Sequence, residues 1–185
     1  MTLLEQVGIA KNRFYNYPHE FSGGMRQRAM IAMSLACRPE LVIADEPVTA
    51  LDVMIQAQIM ELIKDLSRQY ELSMIMISHD LSVLAELCDQ IAIMYAGKVV
   101  EYGDAKAVFR SPKHPYTVRL MNSFPDIHGE RSFVHGIPGY PPSLLHPPQG
   151  CSFYDRCTVR QEVCKEHDMK IAKAGENHYS ACVFL

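Results

Sequence analysis

Leu41-Val42-Ile43-Ala44-Asp45-Glu46-Pro47 and Ser73-Met74-Ile75-Met76-Ile77-Ser78-His79-Asp80 are two short apolar runs that end in charged or proton-carrying residues. Continuous apolar runs of this length, bounded by polar residues, predict strands buried on both faces. Between them, Val53 to Arg68 sets Ile59, Leu62, Ile63 and Leu66 at helical spacing. Strand, helix, strand implies a parallel pair with both carboxyl ends on one edge of the sheet. Asp45, Glu46 and His79 are therefore expected to meet, although a whole helix separates them in sequence. That edge is where open α/β sheets bind ligands.

Working outward, Met1 to Val7 reads as a helix fragment and Gly8 to Glu20 as a loop. Ser22 is a good N-cap for an Ala/Met-rich helix from Met25 to Cys37, which stops before Pro39. Asp89–Tyr95 and Lys98–Tyr102 flank Ala96-Gly97 and predict a hairpin. Short helices are expected at Asp104–Arg110 and Tyr116–Ser123. After Phe124 the composition changes: Pro138, Pro141, Pro142, Pro147 and Pro148, with Gly136, Gly139 and Gly150, mark an extended, irregular segment. A boundary near residues 125–135 divides the chain into an α/β part, 1–125, and a small Cys-rich extension, 126–185.

The 185 residues carry a net charge of −3, are 48% hydrophobic and 21% charged. This balance suits a soluble core and offers no basic field for nucleic acid. Met1 to Ala10 lacks the pattern of a signal peptide, and no apolar run approaches bilayer-spanning length. Membrane association is then expected to come through protein partners. Of six cysteines, Cys37 and Cys88 read as isolated, buried small hydrophobes. Cys151, Cys157, Cys164 and Cys182 crowd into the end of the chain. Without a secretion signal a disulfide framework is disfavoured, so a metal or cluster site is the sharper reading.

Each candidate site residue also has a plain structural reading. Ser22-Gly23-Gly24 at a helix start suits an anion, with free amides and the helix dipole facing it; Ser-Gly-Gly is equally a common flexible turn. Asp45 could hold Mg²⁺ through water while Glu46 polarises an attacking water, yet strands often end in acidic turn residues. His79 alone would more often be a solvated loop histidine.

In combination the motifs are much more specific. Phe-Ser-Gly-Gly-Met-Arg-Gln-Arg (21–28), Ile-Ala-Asp-Glu-Pro (43–47), Thr-Ala-Leu-Asp (49–52) and Ile-Ser-His-Asp (77–80) occur in order. The chain resembles the nucleotide-binding subunit of ABC transporters, a P-loop NTPase fold of parallel strands and helices. Met-Tyr-Ala-Gly-Lys-Val-Val-Glu (94–101), His-Pro-Tyr-Thr (114–117) and Ile-Pro-Gly-Tyr-Pro-Pro-Ser-Leu-Leu (137–145) make it similar to the oligopeptide/dipeptide permease group. The resemblance implies a transport ATPase whose cofactors are ATP and Mg²⁺. Ser22, Gly23 and Gly24 would contact the γ-phosphate held by an opposing ATPase subunit, identical or paralogous. Asp45 would serve Mg²⁺, Glu46 would be the general base, His79 would sense the γ-phosphate, and Asp52 would line the dimer interface. It further implies two transmembrane permease subunits, a solute-binding protein acting through them, and a peripheral place on the cytoplasmic face of the membrane.

Departures from the family pattern qualify this. No Gly-x-x-x-x-Gly-Lys-Ser/Thr phosphate loop occurs; Gly97-Lys98 is followed by Val99 within the hairpin. The family's strand-rich ATP-binding portion and glutamine loop are absent as well, and Val48 stands where Thr is commoner. The expectation is a truncated ATPase that does not bind ATP tightly by itself, or alternatively a non-catalytic module that lends its signature motif to a partner ATPase. The four late cysteines resemble the group's C-terminal extension, in which four cysteines can ligate a [4Fe–4S] cluster. Four thiolates also suit zinc, but the tight Cys-x2–4-Cys knuckle of structural zinc sites is missing. His167 and His178 are alternative ligands, with solvated surface histidines the plainer reading. Transported solutes are expected to be peptides, with nickel or another small solute as the alternative.

Overall fold

The computed structural model describes residues 3–123, 136–166 and 169–184. It divides into two compact units, Met1–Leu87 and Cys88–Leu185. The expected boundary at 125–135 lies outside the described residues.

The first unit comprises α1 (Leu3–Gln6), α2 (Gly23–Ser34), β1 (Leu41–Asp45), α3 (Val53–Tyr70), β2 (Ser73–Ile77) and α4 (Leu81–Leu87). β1 and β2 are parallel and pair from Leu41–Ser73 to Asp45–Ile77, as the strand–helix–strand pattern requires. Val7, Ile9, Ala32, Leu35 and Leu66 form one buried cluster. Val48, Ile59, Met60, Ile63 and Val83 form a second, against which Met74 and Met76 pack. The expectation of strands buried on both faces is corrected: Ile43 is 63% exposed, and Leu41, Ile75 and Ile77 share its outward face at about half exposure. In a strand alternate residues face opposite sides, so Val42, Ala44, Met74 and Met76 turn inward and their neighbours do not. α2 is also shorter than expected, and Cys37, beyond its end, is exposed rather than buried.

Asp80 accepts from the Ser82 N–H at 2.9 Å at the start of α4. That helix was missed in the sequence because its seven residues carry too short a periodic pattern. The remaining signal was the Asp80 cap ahead of Leu81, Leu84 and Leu87.

The second unit contains β3 (Gln90–Tyr95), β4 (Lys98–Asp104), α5 (Ala105–Arg110), α6 (Pro115–Met121), β5 (Ala172–Gly175) and β6 (His178–Ser180). The hairpin is present as expected, and its turn explains why Ala96-Gly97 works: Ala96 has φ 49° and Gly97 φ 77°, the two positive angles of a twisted two-residue turn. An antiparallel sheet in the order β3-β4-β6-β5 joins this hairpin to the end of the chain. The extension is thus less irregular than its composition suggests. At Gly103 a Cβ would lie 2.5 Å from the Asn177 carbonyl oxygen, so glycine is what lets β6 approach β4.

Candidate functional site

Register brings the polar strand ends together. The Glu46 N–H donates to the Ile77 carbonyl at 2.8 Å, so the residue after β1 is fixed to the end of β2. Its backbone sits at φ 48°, uncommon for a residue with a side chain. Glu46 Oε1 lies 2.8 Å from His79 Nδ1 and accepts the His79 N–H at 3.1 Å. Oε2 accepts the Thr49 hydroxyl at 2.7 Å. A carboxylate has about four acceptor positions; these bonds fill three and leave one for an incoming donor.

The hydrogen bond from His79 first, and then that from Thr49, hold the Glu46 carboxyl below the usual carboxylate range. Glu46 in turn raises the His79 imidazole above its ordinary value. The pair is open to solvent, the His79 side chain being 77% exposed. Asp45 stands at the same edge, opposite Ile77 and exposed. Thr49 was quoted in the sequence only as part of a motif. Its position three residues after Glu46, in a turn closed by its own N–H to the Glu46 carbonyl at 3.3 Å, was the available signal.

Ser22 caps α2, its Oγ accepting the Met25 N–H at 3.3 Å. Ser22 and Gly23 are exposed, so the first turn of this helix presents free amides. Gly24 has a second reason to be glycine. A Cβ there would lie 2.7 Å from Ile55 Cγ2, so Ile55 or one of the two helices would have to shift. Asp52 caps α3 through the Ile55 N–H at 2.9 Å and is itself exposed.

The four late cysteines line one cavity with His114, Phe153 and Tyr154, all within the second unit. None is in a disulfide; Cys151 and Cys164 are buried, Cys157 and Cys182 partly so. Burial, and then neighbouring sulfurs, push the Cys151 and Cys157 thiols up, while the backbone N–H groups of Phe153 and Val159 pull the other way. Cys151 N–H donates to the Cys164 carbonyl at 2.8 Å. That approach depends on Gly150, where a Cβ would sit 2.3 Å from the same oxygen. Among the described residues no three His, Cys, Asp or Glu side chains are grouped to hold a metal ion. Four thiolates around one cavity are a donor set that tetrahedral zinc or a polynuclear cluster could each take. His178 is corrected from a surface residue or ligand: it is 3% exposed and held by Glu101. His167 lies outside the described residues.

Residues 1–49 match the family model "ABC transporter", and residues 100–164 match "Oligopeptide/dipeptide transporter, C-terminal region". The oligopeptide transport ATP-binding protein OppD of Haemophilus influenzae is 55% identical over 156 residues, 84% of this chain and 48% of the relative. The chain belongs to the oligopeptide/dipeptide group of ABC-transporter ATP-binding proteins. The probable peptide ABC transporter ATP-binding protein y4tR of Sinorhizobium fredii is 50% identical over 98% of the chain and 55% of its own length. DppD of Bacillus subtilis, a dipeptide transport ATP-binding protein, is 50% identical over 89% of the chain and 50% of its own length. The chain thus spans about half the length of the curated relatives it matches. Among solved structures, cbiO1 of Clostridium perfringens, part of an ABC transporter complex, aligns with TM-score 0.54 and 29% identity over 63% of this chain and 45% of that one. The ATP-binding cassette MJ1267 aligns with TM-score 0.55 over 64% of this chain and 46% of that one; at 20% identity it bears on the fold alone. No helix among the described residues is long and apolar enough to cross a membrane.

Proposed function

We propose that residues 1–185 supply the hydrolytic edge and the signature helix of an ATPase that drives a peptide importer. The observation carrying this is the contact of Glu46 with His79 at the paired strand ends. Glu46, ionised and held from two sides, keeps one acceptor position free to take a hydrogen from water attacking the γ-phosphate. His79, whose charge Glu46 favours, keeps that carboxylate aimed and stands exposed where a phosphate oxygen could be met. Asp45 at the same edge is the residue that would hold Mg²⁺, which supplies charge neutralisation on the phosphates when bound. Ser22, Gly23 and Gly24 present the first turn of α2 to a nucleotide held by an opposing ATPase subunit, and Asp52 faces the same partner. Two transmembrane permease subunits and a solute-binding protein complete the importer, with this chain peripheral at the cytoplasmic face and di- or oligopeptides as cargo.

Glu46→Gln tests this in the assembled importer. ATP turnover should fall at least about 100-fold with nucleotide binding retained, the scale of a lost general base. Turnover within a few-fold of wild type refutes the assignment. The exposed Ser22-Gly23 turn, in 185 residues without a phosphate loop, supports a second reading: a module completing a partner's site. In that case Glu46→Gln is silent while Ser22→Arg abolishes the partner's turnover.

Cys151, Cys157, Cys164 and Cys182 are the residues that would hold a [4Fe–4S] cluster, and their shared cavity supports this. Anaerobically purified protein should contain iron and sulfide with visible charge-transfer absorbance; zinc without colour would reverse the choice of metal.

A further inference from the structure

We infer that Glu101 is the positioning residue of the four-cysteine cavity, one buried carboxylate anchoring both of the chain segments that carry its walls; this rests on reading the four cysteines as a ligand site. Glu101 lies on β4 with no exposure to solvent. Its Oε1 accepts the Lys113 N–H at 2.7 Å and the His178 Nε2–H at 2.6 Å, and its Oε2 accepts the His114 N–H at 2.8 Å. An ionised carboxylate is expensive to bury unless it is fully bonded, and charge-assisted bonds of this kind are the stronger ones. No part of the ATP-site geometry uses this cluster.

The two sets of bonds lead to different cysteines. Through His178 the carboxylate holds β6, which pairs with β4 so that Glu101 faces Ser180 and Gly103 faces His178. Immediately beyond β6, the Ala181 N–H donates to the Val100 carbonyl at 2.9 Å and the Cys182 N–H donates to Ser180 Oγ at 3.3 Å. The position of Cys182 is therefore set from β4. Through the Lys113 and His114 amides the same carboxylate holds the entry to α6. His114 lines the cavity beside Phe153, ring centroids 6.1 Å apart. Phe153 is 1% exposed and directs its own N–H at the Cys151 sulfur. Cys151 is bonded to Cys164 through the backbone. Cys182 comes from one arm and Cys151 with Cys164 from the other, and Glu101 is the side chain bonded into both.

A short bifunctional maleimide applied to the metal-free 185-residue polypeptide, with cross-linked peptides mapped by mass spectrometry, reads this directly. Wild type should yield links between Cys182 and the Cys151/Cys157/Cys164 group. In Glu101→Gln, which keeps the shape but sets an amide N–H₂ against a backbone N–H, those links should fall about tenfold, the scale of a buried donor losing its acceptor. Links within the Cys151/Cys157/Cys164 group should persist. His178→Gln retains a donor to the carboxylate and should keep the Cys182 links, whereas His178→Leu should lose them. Val108→Ala, a buried change on α5 away from these bonds, controls for general loosening. Wild-type linking in Glu101→Gln overturns the inference, as does equal loss in Val108→Ala. If wild type takes up neither iron–sulfur nor zinc yet the links still depend on Glu101, the ligand reading fails and the positioning role stands.

Discussion

Acid should loosen the second unit at one histidine. His114 is 1% exposed, and burial pushes its imidazole down to about 4, against an upward pull from the Glu101 carboxylate. Its Nδ1 accepts the Tyr116 N–H at 3.1 Å and so caps α6. Protonating Nδ1 would set two donors face to face. A base whose folded value is depressed contributes its full stability above the unfolded value; that stability is lost as pH falls, because only the unfolded chain takes up the proton. The window therefore runs from the ordinary 6.5 down to about 4. That gap corresponds to about 3 kcal/mol in full and about 2 kcal/mol by about pH 5. Urea unfolding followed by near-ultraviolet circular dichroism reports on this unit, since Tyr95, Tyr116 and Phe153 pack edge-on or tilted within it. His114→Asn keeps an oxygen for the Tyr116 amide and does not titrate. Other groups titrating in the same range contribute equally to both proteins and cancel. Wild type should lose about 2 kcal/mol more than His114→Asn between pH 7.5 and pH 5; parallel pH profiles would refute the reasoning.

Two further outcomes follow from the same geometry. The His79 ring should titrate above its ordinary value by proton NMR and fall back toward it in Glu46→Gln, because its hydrogen bond to the Glu46 carboxylate is the largest cause of the shift. The pair's contribution should be complete only where Glu46 is ionised and His79 protonated: it is lost as pH falls through the lowered carboxyl value and as pH rises through the raised imidazole value. An unchanged His79 titration in Glu46→Gln would count against the contact. At the hairpin, Ala96→Asn should stabilise by about 0.5 kcal/mol, since Asn tolerates positive φ and Asn-Gly is the preferred pair there; a lower melting temperature would contradict the turn assignment.

The edge that carries Glu46 and His79 was legible in the sequence because it depends on local rules. Two β-rich apolar runs with a helix between them force parallel strands, and parallel strands force Glu46 and His79 to one edge. The hairpin was legible because Ala-Gly at its centre demands a particular turn. The tail was far less so. Ala172-Lys173-Ala174-Gly175 has none of the β-branched or aromatic residues that announce a strand, and it forms one beside β6, which itself pairs with β4. The Glu101–His178 bond spans 77 residues of chain and leaves no local pattern. The strands' outward faces were misjudged for a related reason. Apolar runs predict burial, whereas Ile43 and Ile75 in this two-stranded sheet stay substantially exposed.

On the proposed function, residues 1–185 hold a signature helix and a hydrolytic edge but no phosphate loop. Calorimetric titration of the 185-residue polypeptide with Mg-ATP tests it most directly. No saturable binding is expected at micromolar nucleotide, because the sequence has neither the amide nest nor the lysine that would hold the β-phosphate. Saturable micromolar binding by the polypeptide alone would contradict it.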